Sequence, residues 1–316
     1  MIAFKFKPLL KSVLWGGDRI KRYCGLHTDQ TSIGESWMIS GVPGHETVVS
    51  DGEDAGKSLS ELISKYGAEL VGERVFNKYG TMFPLLIKVI DAKEDLSVQV
   101  HPDDDLAQRL HNSLGKSEMW YIVDADPESK IYAGFSKKID KNEYFRLIDE
   151  GRIMDVVASH ASHSGDVFYT PAGRIHSIGA GNMLIEVQQT SDITYRVYDF
   201  DRCDQDGKLR ELHTELAAEA IDYNVYPDYK KEYNKSGFGM ERLVDCQYFN
   251  VARLVLDGSE SLVLPTVTDS FMIVICVEGS VTIGDRELRQ GESMLIPAIE
   301  QDVKAEGSAV LLTVTA

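Results

Sequence analysis

Short apolar runs, broken every few positions by glycine, proline, aspartate or asparagine, dominate this chain. "FPLLIKVIDA" (83–92) is almost wholly apolar and rich in branched side chains, the pattern of a buried strand. "LSVQVH" (96–101) alternates, so its odd and even positions face opposite ways. "EMWYIVDA" (118–125), "KIYAGF" (130–135), "GDVFYTPA" (165–172) and "NMLIEVQQTSDITYRVYDF" (182–200) follow as further strands bounded by turn residues. A second series comprises "FNVARLVLDG" (249–258), "SFMIVICVEGSVTIG" (270–284), "RELRQGESMLIPA" (286–298) and "AVLLTVTA" (309–316).

Helical spacing is confined to three places. "SLSELISKYGAELVGERVF" (58–76) opens with Ser58 and Glu61 at capping-box spacing and carries Leu59, Leu62, Ile63 and Leu70 on one face. "KNEYFRLIDEGRIMDVVASH" (141–160) predicts a second helix, with Phe145, Ile148 and Ile153 inward, and "LHTELAAEAIDY" (212–223) a third. Residues 1–50 read as short strands and loops, and "YPDYKKEYNKSGFGMERL" (226–243) as a polar, aromatic-rich connection. Strands that do not alternate regularly with helices predict a sandwich or jelly roll over a parallel α/β sheet. The expected fold is mainly β with some helix: two jelly-roll units plus a small helical segment, divided into residues 1–234 and 235–316. Gly165 with Pro171 and Gly291 with Pro297 repeat one spacing in the two units, but the second copy lacks the following glycine and histidine.

Composition narrows the partners. The formal charge of −17 over 316 residues argues against nucleic acid, which is bound through basic surface. A small anion remains compatible, because a few basic side chains in a pocket outweigh a distant surface. No apolar run approaches the roughly 20 residues that span a bilayer. The opening "MIAFKFKPLLKSVLWGGDRI" does not read as a signal peptide. Cys24, Cys203, Cys246 and Cys276 show no paired spacing and read as reduced thiols of a cytoplasmic protein. A monomer or homodimer is expected.

The chemistry concentrates in "GDVFYTPAGRIH", of form G-x5-P-x-G-x2-H, where Gly173 permits a tight turn and the next strand aims His176 inward. Gln99 and His101 share a strand face in "SVQVHPDD", and Glu118 follows in "GKSEMWYI". Two imidazoles, a carboxylate and an amide oxygen suit zinc or another divalent first-row ion. The glycine–proline–histidine pattern resembles the second half-motif of the cupin superfamily. Q-V-H-P-D, then K-x-E, then P-A-x-x-x-H, together with "LWGGDRI", "GESW" and "QQTSDITYRVYDF", resembles the type I phosphomannose isomerases in their short bacterial form.

That resemblance implies one divalent metal ion, zinc first among candidates, on Gln99, His101, Glu118 and His176. It implies the interconversion of mannose 6-phosphate and fructose 6-phosphate, a step of carbohydrate metabolism that moves a proton between adjacent carbons through an enediol. The family's polar pocket residues fall on Lys88, Ser97, Lys116, Glu186, Asp192 and Arg196. Ser97, Lys116 and Arg196 are the expected phosphate anchors, and Arg196 is alternatively a stabiliser of charge at the reacting carbons. Glu186, a carboxylate in an apolar strand, is the first candidate for the proton shuttle, with Asp192 and Lys88 next. The C-terminal unit resembles a degenerate cupin without metal ligands. Two other readings stay open: an iron-dependent cupin dioxygenase, and a non-catalytic cupin that binds sugar phosphates.

Overall fold

The structure is a computed structural model that describes residues 3–203 and 207–316. Three antiparallel sheets carry the fold. The first runs in the order β10-β7-β12-β5-β2-β3, from β2 (Leu9–Gly17), β3 (Ile33–Ser40), β5 (Leu85–Ala92), β7 (Glu118–Ala125), β10 (Val167–Thr170) and β12 (Asn182–Gln189). The second runs β13-β6-β11-β8-β9, from β6 (Val98–Val100), β8 (Lys130–Phe135), β9 (Val157–Ala161), β11 (His176–Ile178) and β13 (Tyr195–Tyr198). The third is C-terminal: β14 (Gly239–Asp245), β15 (Asn250–Asp257), β20 (Lys304–Thr315), β17 (Met272–Ile283) and β18 (Arg286–Arg289) in spatial order, with β16 (Leu262–Val263) on β20 and β19 (Ser293–Ile296) on β17. A two-residue ladder joins β1 (Phe6–Lys7) to β4 (Val48–Val49).

Strand register explains how the sheets stack. Glu186 on β12 lies opposite both Lys88 on β5 and Trp120 on β7, and Leu184 lies opposite Ile90 and Ile122. Because side chains alternate, these residues share one face of the first sheet. Trp120, Ile122, Leu184 and Ile90 pack there with Ile131 and Ile178 of the second sheet. The other face presents Met119, Tyr121, Ile185, Val187, Ile87 and Val89, and it packs on Val251, Ile273, Ile275, Leu312 and Val314 of the third sheet. The first sheet is therefore a shared wall. Its β7, β12 and β5 read as continuous apolar runs because both faces are covered.

The C-terminal sheet also has a core of its own. Met272, Val274 and Cys276 of β17 alternate away from the shared wall and pack on Leu254, Leu288 and Leu311. Phe271 lies at the seam, fully buried, with its ring 4.6 Å from that of Phe83. Phe271→Ala should cost about 3–5 kcal/mol, the usual cost of emptying a buried phenylalanine site. Because the seam core is common to both units, denaturant unfolding should keep one transition at a lower midpoint, not split into two.

Helices are short and peripheral: α1 (Arg19–Tyr23), α2 (Leu59–Tyr66), α3 (Ala68–Val71), α4 (Glu73–Tyr79), α5 (Asp104–His111), α6 (Lys141–Asp149) and α7 (Thr214–Ala220). The capping box at Ser58 and Glu61 is formed. The helix expected over 58–76 is instead three pieces, broken at Gly67 and Gly72. Gly72 has φ +87°, and a Cβ there would meet the Asp269 backbone at 2.1 Å. The helix expected over 141–160 ends at Asp149. Gly151 takes φ +65°, and the branched run that follows becomes edge strand β9, burying Val157. Tyr144, Leu147 and Ile153 are its buried side chains, while Phe145 and Ile148 are only partly covered. Part of the expected 226–243 connection is strand β14, whose half-exposed edge position explains its polar composition. The run 182–200 is two strands, β12 and β13, in different sheets. Asp103 caps the unanticipated α5 by accepting from the Leu106 amide.

Candidate metal centre

Gln99 and His176 face each other across β6 and β11, and Arg196 on β13 lies opposite Gln99 on the other side. The three positions thus form a row across adjacent strands of the second sheet. His101 follows β6 directly. Glu118 opens β7 in the facing sheet. The turn at Pro171–Gly173 ties them together: Gly173, at φ +87°, donates its N–H to the His101 carbonyl at 2.9 Å. Ligand nitrogens and oxygens of His101, Glu118 and His176 all lie within 4.8 Å of one another, and all three residues are buried.

The hydrogen bonds define which atoms remain free. His176 Nδ1 donates to the Arg174 carbonyl at 2.8 Å, and His101 Nδ1 donates to the Ile193 carbonyl at 2.8 Å. Each ring therefore keeps its Nε2 lone pair for the interior. Those two Nε2 atoms stand 3.1 and 3.4 Å from the two Glu118 oxygens. Neither Glu118 oxygen has a well-formed hydrogen bond. Burial, and then the neighbouring Lys116 charge, pushes the His101 imidazole down to about 3, and burial lowers His176 as well. Burial alone would raise the Glu118 carboxyl, but Lys116 and the two histidines hold it well below its usual range. Two neutral imidazoles facing a carboxylate with no proton between them form a donor set that a cation satisfies. Gln99 stands 3.3 Å from His176 Nε2 through its amide nitrogen, and a half-turn of the amide presents its oxygen instead. Lys116 Nζ, 3.0 Å from both Glu118 and His101 Nε2, is the ammonium in contact with this set.

A second buried polar group adjoins it. Lys88 Nζ pairs with Glu186 Oε2 at 2.9 Å, and Trp120 Nε1 donates to Glu186 Oε1 at 2.9 Å. Burial would lower the Lys88 ammonium, but Glu186 and Glu35 keep it raised. The Trp120 ring meets His176 edge-on at 5.3 Å, so one indole touches both groups. Trp37 stacks beneath Lys88 at 5.3 Å and donates to Glu35 at 2.5 Å.

The third group is cationic. Arg202 Nη2 and Arg210 Nε approach the buried Asp199 carboxylate at 2.5 and 3.0 Å. Arg210 Nη2 reaches Ser97 Oγ at 3.5 Å. Half-buried Arg196 donates to the Glu211 carbonyl at 2.7 Å, yet its Nε is buried with no partner. Burial, and then the charge of Arg196, lowers the Arg210 guanidinium, as expected for crowded like charges. Sequence reasoning missed Arg202, Arg210 and Asp199; the one signal was basic residues recurring in an acidic stretch, "DFDRCDQDGKLREL". Among the described residues Asp192 is in no hydrogen bond or ion pair with the three groups, although the carbonyl of the next residue, Ile193, accepts from His101. The Asp192 side chain is exposed in the loop between β12 and β13, because the strand alternation expected to align it with Arg196 is interrupted there. His111, His160, His163 and His213 lie outside the ligand set.

Residues 3–138 match the model of the phosphomannose isomerase type I catalytic domain, and residues 240–316 match that of the mannose-6-phosphate isomerase cupin domain. The chain is 35% identical to the mannose-6-phosphate isomerase ManA of Bacillus subtilis, over 96% of each chain. It is 35% identical to the mannose-6-phosphate isomerase of Streptococcus mutans, over 90% of this chain and 89% of that one. The solved mannose 6-phosphate isomerase structure from Bacillus subtilis superposes with a TM-score of 0.88 at 32% identity, covering 99% of both chains.

Proposed function

From the premise that this chain belongs to the type I phosphomannose isomerases, we propose that it is a cytoplasmic, metal-dependent enzyme interconverting mannose 6-phosphate and fructose 6-phosphate. The observation that carries this reading is the buried His101–Glu118–His176 set beside a cluster of three arginines. Gln99, His101, Glu118 and His176 would hold one divalent ion, zinc by its preference for nitrogen and carboxylate donors. When bound, it supplies Lewis-acid stabilisation of negative charge on the sugar oxygens.

The rest falls to side chains. Among the described residues, Arg196, Arg202 and Arg210 carry three positive charges against the carboxylates of Asp199 and Glu211, which leaves a positive excess. That excess favours an anion such as a phosphate monoester, whose charge near neutral pH is about −1.5 to −2. Ser97, against Arg210, adds a hydroxyl to the anchor. Glu186 takes the proton from one carbon and returns it to the next. Lys88 and Trp120 hold its two oxygens, so the carboxylate has one orientation. Lys116, in contact with the ligand set, would bind a substrate oxygen near the reacting carbons instead of the phosphate. The C-terminal unit, about 235–316, closes the back of the catalytic sheet and contributes no ligand to the set. Membership of an isomerase family favours this reading over the dioxygenase and the non-catalytic binder.

A coupled assay that follows fructose 6-phosphate from mannose 6-phosphate tests the reaction; metal-replete protein without turnover would refute it. Arg210→Ala should raise KM by about 30-fold, the equivalent of ~2 kcal/mol for one charge-assisted bond. Arg196→Ala should lower kcat/KM by about 100-fold or more. Both variants should keep their metal content in elemental analysis.

A further inference from the structure

A cavity of about 430 Å3 lies behind the catalytic sheet, where β7 and β12 meet β15, β17 and β20. That volume is in the range of small-molecule sites. Tyr121, Val123 and Met183 line it from the wall, and Val277, Glu278 and Val310 line it from the C-terminal sheet. Glu118 and Trp120 alternate with Tyr121 on β7, so this cavity and the metal centre occupy opposite faces of the same strands.

Arg253 is the feature that needs an account. It lines the cavity and is 8% exposed. Among the described residues its one hydrogen bond is long, from Nη1 to the Gly237 carbonyl at 3.3 Å, and its buried Nε has no partner. Among the described residues no carboxylate is in ion-pair contact with it. A buried arginine is ordinarily paired, because an uncompensated charge out of water is costly. The other charges here are largely answered: Lys235 pairs with Asp166, and Asp124 stands 3.5 Å from Arg19. Glu278 faces the cavity from an exposed position. Around Arg253 the lining is hydroxylated. Tyr23 and Tyr233 spend their protons on the Val277 and Gly165 carbonyls, which leaves both oxygens able to accept. Ser164 and Gln290 add further donors and acceptors.

We propose that this cavity is a second ligand site, separate from the metal centre, which binds a small phosphorylated polyol with its phosphate on Arg253 and its hydroxyls on Tyr23, Tyr233 and Glu278. The volume of the cavity suits a small molecule, and the acidic surface of the protein argues against a nucleic acid.

Glycerol 3-phosphate is the probe, titrated calorimetrically into full-length metal-loaded protein carrying Arg210→Ala to weaken the catalytic anchor. One site should remain in that background. Adding Arg253→Met should weaken it at least tenfold, and Arg253→Lys should recover part of the loss. Mannose 6-phosphate turnover of the Arg253→Met single variant should match the wild type. Ser164→Trp, at the exposed entrance, should also block binding and does not disturb the buried core. Binding unchanged by both Arg253→Met and Ser164→Trp, or absent once Arg210 is replaced, would overturn the proposal. Anion density at Arg253 in crystals of the wild-type protein soaked with the probe would support it, and density at the arginine cluster alone would overturn it.

Discussion

Chelation of divalent metal should lower isomerisation by at least ~1,000-fold, and added zinc should restore it, because the lost stabilisation of developing charge is worth several kcal/mol. The reason lies in four atoms. Both imidazoles commit Nδ1–H to backbone carbonyls, so both Nε2 atoms face the Glu118 carboxylate as acceptors. The Lys116 ammonium reaches Glu118 and His101 Nε2 at 3.0 Å, and the Gln99 amide reaches His176 Nε2 at 3.3 Å, so no full positive charge faces His176. His176→Ala should reproduce the chelated enzyme and resist rescue by zinc at concentrations that restore the wild type. The check is activity together with metal content of the same samples. Full turnover by metal-free protein would reject the ligand assignment.

Glu186→Gln should lower kcat by about 100- to 10,000-fold, the range for loss of a positioned general base, with little change in KM. The amide keeps a carbonyl oxygen for the Trp120 indole but turns its NH2 toward the Lys88 ammonium, so circular dichroism and metal content of the variant should be compared with the wild type. If Glu186 is the proposed proton shuttle, exchange of solvent deuterium into the substrate should fall in parallel. Asp192→Asn, altering a side chain that faces solvent, should stay within about twofold of wild type. The reverse outcome, an inactive Asp192→Asn and an active Glu186→Gln, would transfer the proton shuttle to Asp192.

The sequence shows the fold class and the cluster of His101, Glu118 and His176 more clearly than the bounds of single elements. Glycine–proline spacing, strand alternation in "SVQVH" and the glutamate after "GKS" are local patterns, and the structure brings His101, Glu118 and His176 within 4.8 Å of one another. Segment boundaries were less legible. The stretch at 141–160 satisfies helical spacing up to Asp149, and only its partner strand β8 turns Val157–Ala161 into β9. Strand β14 looks like a polar loop because one of its faces is bathed in solvent. Arg202 and Arg210 escaped notice because their meaning depends on Asp199 and Ser97 lying beside them. Arg253 could not be singled out at all: in the sequence it is an ordinary arginine in a strand, and its isolation appears only when two sheets close over it.

The shared wall has a consequence for how the protein is made. Strand β20 is the last strand in chain order yet lies between β15 and β17 in space. During synthesis from the N-terminus, the catalytic sheet can assemble while Met119, Tyr121, Ile185 and Val187 still lack their cover. Leu312 and Val314 arrive only with β20. A nascent chain halted before that strand would therefore display a sticky apolar face on a half that already contains His101, Glu118 and His176, the type of intermediate that chaperones retain and that aggregates when they do not.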